Sequence, residues 1–142
     1  MTAAIDSLQR ALAAEHAAVW GYGLVGATLP PAQQPLAASA DQAHRAHRDA
    51  LEESLRARRA TPVAAAASYQ LPFPVTDPQA ARALAAHLEQ GSAANWYAVL
   101  PAVSAPADRR LAVSALTDAA TRGLQWRLML PGQPSTVPFP GA

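Results

Sequence analysis

Cysteine and lysine are both missing from this 142-residue chain. Without cysteine there is no disulfide, no thiolate metal ligand and no cysteine nucleophile. That fits a reducing compartment. Without lysine, every cation is an arginine, and eleven of them face ten acidic residues for a net charge of +1. The charges are scattered. The densest basic run, Arg56, Arg58 and Arg59, falls where a helix is expected to end, and there cations offset the macrodipole and bond free carbonyls. No nucleic-acid surface is expected from this pattern.

Long hydrophobic runs are lacking too. The longest, Ala17 to Leu29, holds three glycines and falls short of the about 20 residues a bilayer requires, so no membrane partner is expected. Asp6 and Arg10 interrupt any secretory segment, which points to a cytoplasmic protein. No stretch alternates like a strand. There is no glycine-rich phosphate loop and no nucleophile elbow. Gly21-Tyr22-Gly23-Leu24-Val25-Gly26 superficially matches a dinucleotide fingerprint, but it lies inside a helical segment with no strand before it. Its glycines read instead as places of close helix approach, within the fold or across a dimer.

What is abundant is proline, at 13 residues, and it punctuates the chain. Pro30-Pro31 closes one segment and Pro62 another. Pro72, Pro74 and Pro78 mark a long connection, and Pro106 and Pro131 bracket the last segment. Between these marks lie good helix formers. Four helices are predicted, over Thr2–Thr28, Ala32–Arg59, Pro78–Ser104 and Pro106–Leu130, with Asp77 capping the third and Pro101 bending or ending it early. The inner faces are Ile5, Leu8, Leu12, Glu15, Val19 and Tyr22 on the first helix and Leu36, Ala40, His44, His47, Leu51 and Leu55 on the second. Leu84, Leu88, Gly91, Asn95 and Val99 mark the third. The fourth has two competing stripes, one through Leu111, Ala115, Asp118 and Arg122, the other through Leu116, Ala120, Leu124 and Leu128.

The links set the topology. The first and last are short, so helices one and two, and three and four, form antiparallel hairpins. The middle link, Thr61 to Thr76, is long enough to return along the whole bundle. Two hairpins joined by one long crossover give the ferritin-like four-helix connectivity. Residues 1–130 are expected to form this one domain, followed by an extended Pro/Gly-rich tail over 131–142.

Antiparallel pairing also sets heights along the bundle. Glu15 lies level with positions near His44, His47 follows one turn later on the same face, and Glu89 lies level with Asp118. Parallel second and third helices bring His44 and Glu89 to one level. Glu15, His44, His47, Glu89 and Asp118 therefore form one polar layer at mid-height. Carboxylates and imidazoles converging in a helical bundle are the ingredients of a dinuclear iron or manganese centre, which takes a Glu from each of two helices and Glu-x-x-His from each of the others. Here His44 stands in the Glu position of the second helix, and Asp118-Ala119-Ala120-Thr121 lacks the histidine. The layer is an incomplete metal site. The plain alternative is a set of polar groups that satisfy one another, with Arg45, Arg48 or Arg122 neutralising the acids. Arg45 with Asp49, and Arg48 with Glu52, are expected to pair along the helix. No cofactor is therefore expected; the alternative is one transition-metal ion (Fe, Mn or Zn) on the five candidates.

Three strings, Ala14-Glu15-His16-Ala17-Ala18-Val19-Trp20-Gly21-Tyr22-Gly23, His44-Arg45-Ala46-His47-Arg48-Asp49-Ala50-Leu51 and Tyr69-Gln70-Leu71-Pro72-Phe73-Pro74-Val75, resemble an uncharacterised ferritin-like domain family of high-GC bacteria, the actinobacteria. Trp126-Arg127 fits it as well. The resemblance implies the ferritin-like fold, a cytoplasmic bacterial protein, and Glu15, His44 and Glu89 as polar-core positions. It implies no established reaction. The missing histidine near Thr121 departs from the metal-binding ferritin pattern. The expected role is a non-catalytic interaction or regulatory protein, paired as a homodimer through small-residue helix faces. The alternatives are a metal-binding protein or metal-dependent oxidoreductase, and a small-ligand pocket walled by Trp20, Trp96 and Tyr97.

Overall fold

The computed structural model describes residues 2–132, 134 and 138–142. Four helices are present: α1 over Thr2–Thr28, α2 over Gln34–Ala57, α3 over Pro78–Val99 and α4 over Pro106–Leu128. No strand occurs among the described residues. None of these helices is long and apolar enough to cross a membrane.

Four helix boundaries fall short of those the sequence suggests. The segment after Pro30 opens as a 3-10 turn, Pro31–Gln33, so α2 starts at Gln34 rather than Ala32. Pro35 then sits in the first turn of α2, where its missing N–H costs nothing. At its other end α2 stops at Ala57, because Arg59 turns left-handed (φ 59°) and the Ala60 N–H reaches back to the Leu55 carbonyl at 3.0 Å. That closure satisfies carbonyls of the last turn. α3 ends at Val99 instead of Ser104, since Pro101 disfavours helical geometry in the residue before it. Arg109 covers the exposed end, donating to the Leu100 carbonyl at 2.8 Å and the Val103 carbonyl at 3.2 Å. α4 ends at Leu128, two residues before Leu130. The start of α3 is as its sequence implies: Asp77 accepts the Ala80 N–H at 2.8 Å, with Pro78 following it.

The helices form two antiparallel hairpins joined by a long crossover. α1 packs on α2 and on α3, α3 packs on α4, and α2 meets α4 mainly through side chains, among them Ser54 and Asp108 at 2.9 Å. The crossover runs along one face of α1. Gln9 holds it with two bonds, to the Thr61 carbonyl at 2.7 Å and from the Val63 N–H at 2.8 Å. His16 donates to the Val63 carbonyl at 3.0 Å, and the Trp20 ring meets Tyr69 at 5.8 Å. Leu71, Phe73 and Val75 then pack on the core.

Two apolar clusters fill the interior. One gathers Leu8, Leu12, Leu51, Leu55, Trp96 and Val99; the other gathers Tyr22, Val25, Leu29, Leu84 and Trp126. Between them lie Glu15, His44 and Glu89, all fully buried. The inner faces of α3 and α4 match the expected stripes only at Leu84, Val99 and Ala115. Ala81, Leu84, Ala85, Glu89, Ser92, Ala93 and Trp96 point inward on α3, leaving Gly91 exposed. On α4 the buried line is Asp108, Ala112, Ala115, Ala119, Gly123 and Trp126, which lies between the two proposed stripes. In both helices the tryptophan sets the rotation, because no other side chain buries as much area.

The tail expected over 131–142 lies partly outside the described residues. Within its described part, Gly132 and Gly141 have positive φ, and the Ala142 N–H donates to the Phe139 carbonyl at 3.0 Å.

Candidate functional site

The mid-height layer is built around His44. The α1–α2 hairpin brings Glu15 to it, and the crossover brings α3, and with it Glu89, to its other side. Nδ1 lies 2.5 Å from Glu15 Oε2, and Nε2 lies 2.7 Å from Glu89 Oε1. A carboxylate only accepts, so both ring nitrogens carry protons and His44 is an imidazolium between two anions. Burial alone would lower its pKa, but the hydrogen bonds to Glu15 and Glu89, backed by their charges, raise it to about 9.

Each carboxylate has further donors. Glu15 Oε1 accepts from Trp96 Nε1 at 2.7 Å and Ser92 Oγ at 2.8 Å. Burial pushes the Glu15 pKa up, but the bond and charge of His44, then Trp96 and Ser92, overcome it, and the net direction is down. Glu89 Oε1 accepts from Tyr22 at 2.7 Å and from Arg122 Nε at 2.9 Å. The Tyr22 oxygen in turn accepts from Trp126 Nε1 at 2.9 Å, and its ring stacks on His44 with centroids 5.4 Å apart. Burial first, then the Glu89 charge and bond, hold the Tyr22 pKa well above its usual value. The phenol therefore stays a donor.

The two anions, Glu15 and Glu89, are matched by two cations, His44 and Arg122. Of the three arginines considered, Arg122 is the one that reaches the layer: Arg45 pairs with Asp41 at 2.9 Å and Arg48 with Asp49 at 2.8 Å, both on the surface. The expected pairs Arg45–Asp49 and Arg48–Glu52 do not form; Glu52 bonds Arg56 at 2.8 Å. Local spacing allowed several partners, and arginine takes the acid its rotamer reaches.

The outer two of the five candidate residues stand at the edge. His47 is one turn from His44, with an 11% exposed side chain whose Nδ1 has no hydrogen-bond partner. Burial lowers its pKa; the Glu15 charge opposes this and the His44 and Arg122 charges reinforce it. Asp118 is 47% exposed and lies 3.5 Å from His47 Nε2, beyond a good hydrogen bond. It does not reach Glu15, His44 or Glu89 by any direct bond.

Ligand atoms of Glu15, His44 and His47 lie within 4.8 Å of one another. This donor set fits a dinuclear centre poorly, because the fourth helix contributes Arg122 where such a centre needs a carboxylate and a histidine. It fits a single ion only after His44 gives up a proton and one carboxylate bond.

Tyr22, Ser92, Trp96 and Trp126 were not recognised from the sequence as members of the layer. A signal was present. Tyr22 follows Glu15 by two helical turns, and Trp96 follows Glu89 by the same interval, so each shares a face with an acid. The rings of Trp20, Trp96 and Tyr97 do not form one pocket. Trp20, on α1, turns its ring to Tyr69 of the crossover, Trp96 lies in the core, and Tyr97 is 47% exposed.

The profile of a family described as "Domain of unknown function (DUF4439)" matches residues 7–142. The chain belongs to the DUF4439 family. A solved structure similar to this DUF4439 chain is the crystal structure of a conserved hypothetical protein, rv2844, from Mycobacterium tuberculosis. It is 40% identical, covers 91% of this chain and 98% of its own, and superposes with a TM-score of 0.89. No curated protein matches the chain.

Proposed function

We propose that this DUF4439 protein is a ferritin-like bundle whose metal layer has become a closed, charge-compensated polar core, and that it acts by interaction or regulation rather than by metal-based catalysis. The observation that carries this reading is that both nitrogens of His44 are engaged by carboxylates, at 2.5 and 2.7 Å. A histidine so engaged has no lone pair for a metal. The matched charges of Glu15, Glu89, His44 and Arg122 leave no net negative charge to attract one. The ferritin-like assignment rests on the two antiparallel hairpins, the long crossover and the polar layer at mid-height. A second copy of the chain is the proposed partner, and sedimentation equilibrium reads whether the particle has the mass of one chain or two.

Elemental analysis of protein purified without a metal-affinity tag tests the reading. The expected result is no stoichiometric Fe, Mn or Zn. One tightly bound ion per chain, lost in both Glu15→Ala and His44→Ala while the helices persist, would establish the other reading, a metal site on Glu15, His44 and His47. That second reading is favoured by one observation: the His47 Nδ1 atom is buried, lacks a partner, and sits beside the other two donors.

A further inference from the structure

The last residues of the chain form an arm that folds back onto the bundle. The family profile runs through Ala142, so the arm belongs to the domain. Pro140, Gly141 and Ala142 lie in the groove between α3 and α4, against Ala93, Ala94, Ala119 and Ala120. The fit is specific at Gly141. Its φ is +82°, and a Cβ there would run into the Ala93 carbonyl and come within 2.9 Å of Tyr97 Cβ. Only a glycine takes that conformation so close to α3. The Ala142 N–H closes the turn on the Phe139 carbonyl at 3.0 Å.

A second glycine sends the arm back. Gly132 has φ +69°, and a Cβ there would meet nothing within 4 Å. This glycine therefore serves the left-handed turn alone. Pro131, just before it, lines a groove with Ala80 and Ala83 near the start of α3, whereas Pro140 stands beside Ala93. Those levels are about 20 Å apart along the helix, at 1.5 Å per residue. The eight steps from Gly132 to Pro140 reach about 26 Å at full extension, so the arm meets its groove with little length to spare. Opening the turn at Gly132 carries the same length away from its own groove and out to that of another molecule.

Docking within one molecule leaves apolar surface uncovered. Phe139 is 75% exposed, and Tyr97, beside Gly141, is 47% exposed. The groove accepts this sequence from either copy, so an exchange of arms loses no contact. Burial of Phe139 and Tyr97 between two molecules is then the net gain. We propose that the α3–α4 groove is an interface for a second copy of this chain, with residues 138–142 exchanged between the two molecules about a hinge at Gly132. This rests on the reading of a second copy as the partner, and it names the surface and the segment that join the copies.

Sedimentation equilibrium of the full chain and three full-length variants tests the exchange. The unaltered chain is expected to dimerise as its concentration rises. Gly132→Val strains the turn that returns the arm, so it should tighten the dimer by about threefold or more. Gly141→Val bars the arm from either groove and should weaken the dimer by about tenfold or more. Phe139→Ser should weaken it in the same direction, with the circular dichroism of the helices kept. A mixture of labelled and unlabelled unaltered chains, read by isotope-filtered NMR, depends on no variant folding. Contacts from Gly141 and Ala142 of one molecule to Tyr97 of the other are expected. A chain that stays monomeric at every concentration overturns the proposal together with the reading it rests on. A dimer that survives Gly141→Val, that Gly132→Val loosens, or that lacks the contact between arm and Tyr97 across molecules overturns the exchange alone. The second copy would then remain the partner through another face.

Discussion

His44 binds Glu15 through Nδ1 at 2.5 Å in a fully buried pair, and it can donate to Glu15 and Glu89 together only as an imidazolium. Stability therefore depends on pH with a definite sign. The folded pKa of about 9 lies above the ordinary 6.5, so the contribution of His44 is complete below 6.5 and is lost as pH rises through 9. The shift corresponds to about 3 kcal/mol. The lowered Glu15 pKa acts at the other end: its contribution is present above 4.5 and is lost as pH falls through the folded value. His47, also lowered, adds stability above 6.5 that disappears as pH falls. Thermal unfolding by circular dichroism should show its highest midpoint near pH 6, and a decline between pH 6.5 and 9. A flat profile across that interval would show that His44 is not held as an imidazolium.

The Glu89 carboxylate should be costly to neutralise and partly rescued by removing a cation. Glu89→Gln leaves His44 and Arg122 facing an amide in the core. The expected loss is about 3–5 kcal/mol, read as a lower urea midpoint. Arg122→Leu removes one of the stranded charges, so the double variant should be more stable than the sum of the single losses implies, with a coupling of about 1–3 kcal/mol. Strict additivity in the cycle would mean that the 2.9 Å contact between Arg122 and Glu89 carries no energy.

These residues also show where the sequence was readable. Height is set by chain length between turns, so Pro30 and the long crossover sufficed to bring Glu15, His44 and Glu89 to one level. Rotation is set by contrast between faces, and α4 has little: alanine lies on every side of it, and leucines occupy the flanks. Of its buried line only Ala115 was foreseen, Ala112, Ala119 and Trp126 were missed, and Asp118 was placed inward although it lies at the edge. Tyr22 read as an apolar stripe residue, and only the position of α3 reveals that its hydroxyl meets Glu89. Hydrogen-bond partners from distant helices depend on rotation as well as level, and only the level was legible.

The end of α2 carries a local strain that can be relieved. Arg59 adopts φ 59°, a left-handed geometry that costs a residue with a side chain about 1–2 kcal/mol. The closure uses backbone groups, and Arg58 is the residue whose side chain reaches Ser54 and Asp108. Arg59→Gly should therefore stabilise the protein, by about 0.5 kcal/mol after the extra flexibility of glycine in the unfolded chain is discounted. A rise of a few degrees in the thermal midpoint is the expected outcome, and a fall would mean that Arg59 makes a contact worth more than the strain.

Two glycines of α1 should respond in opposite ways to the same substitution. A Cβ at Gly21 would stand 2.6 Å from Leu88 Cδ1 and 3.0 Å from Cδ2, on α3. Leu88 is half-buried against the apolar cluster, so its side chain must turn from the new methyl and give up part of that packing. Gly21→Ala should cost about 1–3 kcal/mol and displace α3, which holds Glu89. At Gly23 a Cβ meets nothing within 4 Å. There the only change is better helix propensity, so Gly23→Ala should stabilise by about 1 kcal/mol. Urea unfolding of the two variants under one condition reads the contrast. Equal effects would mean that the glycines serve propensity alone, and that the approach of α1 to α3 does not depend on a bare backbone at position 21.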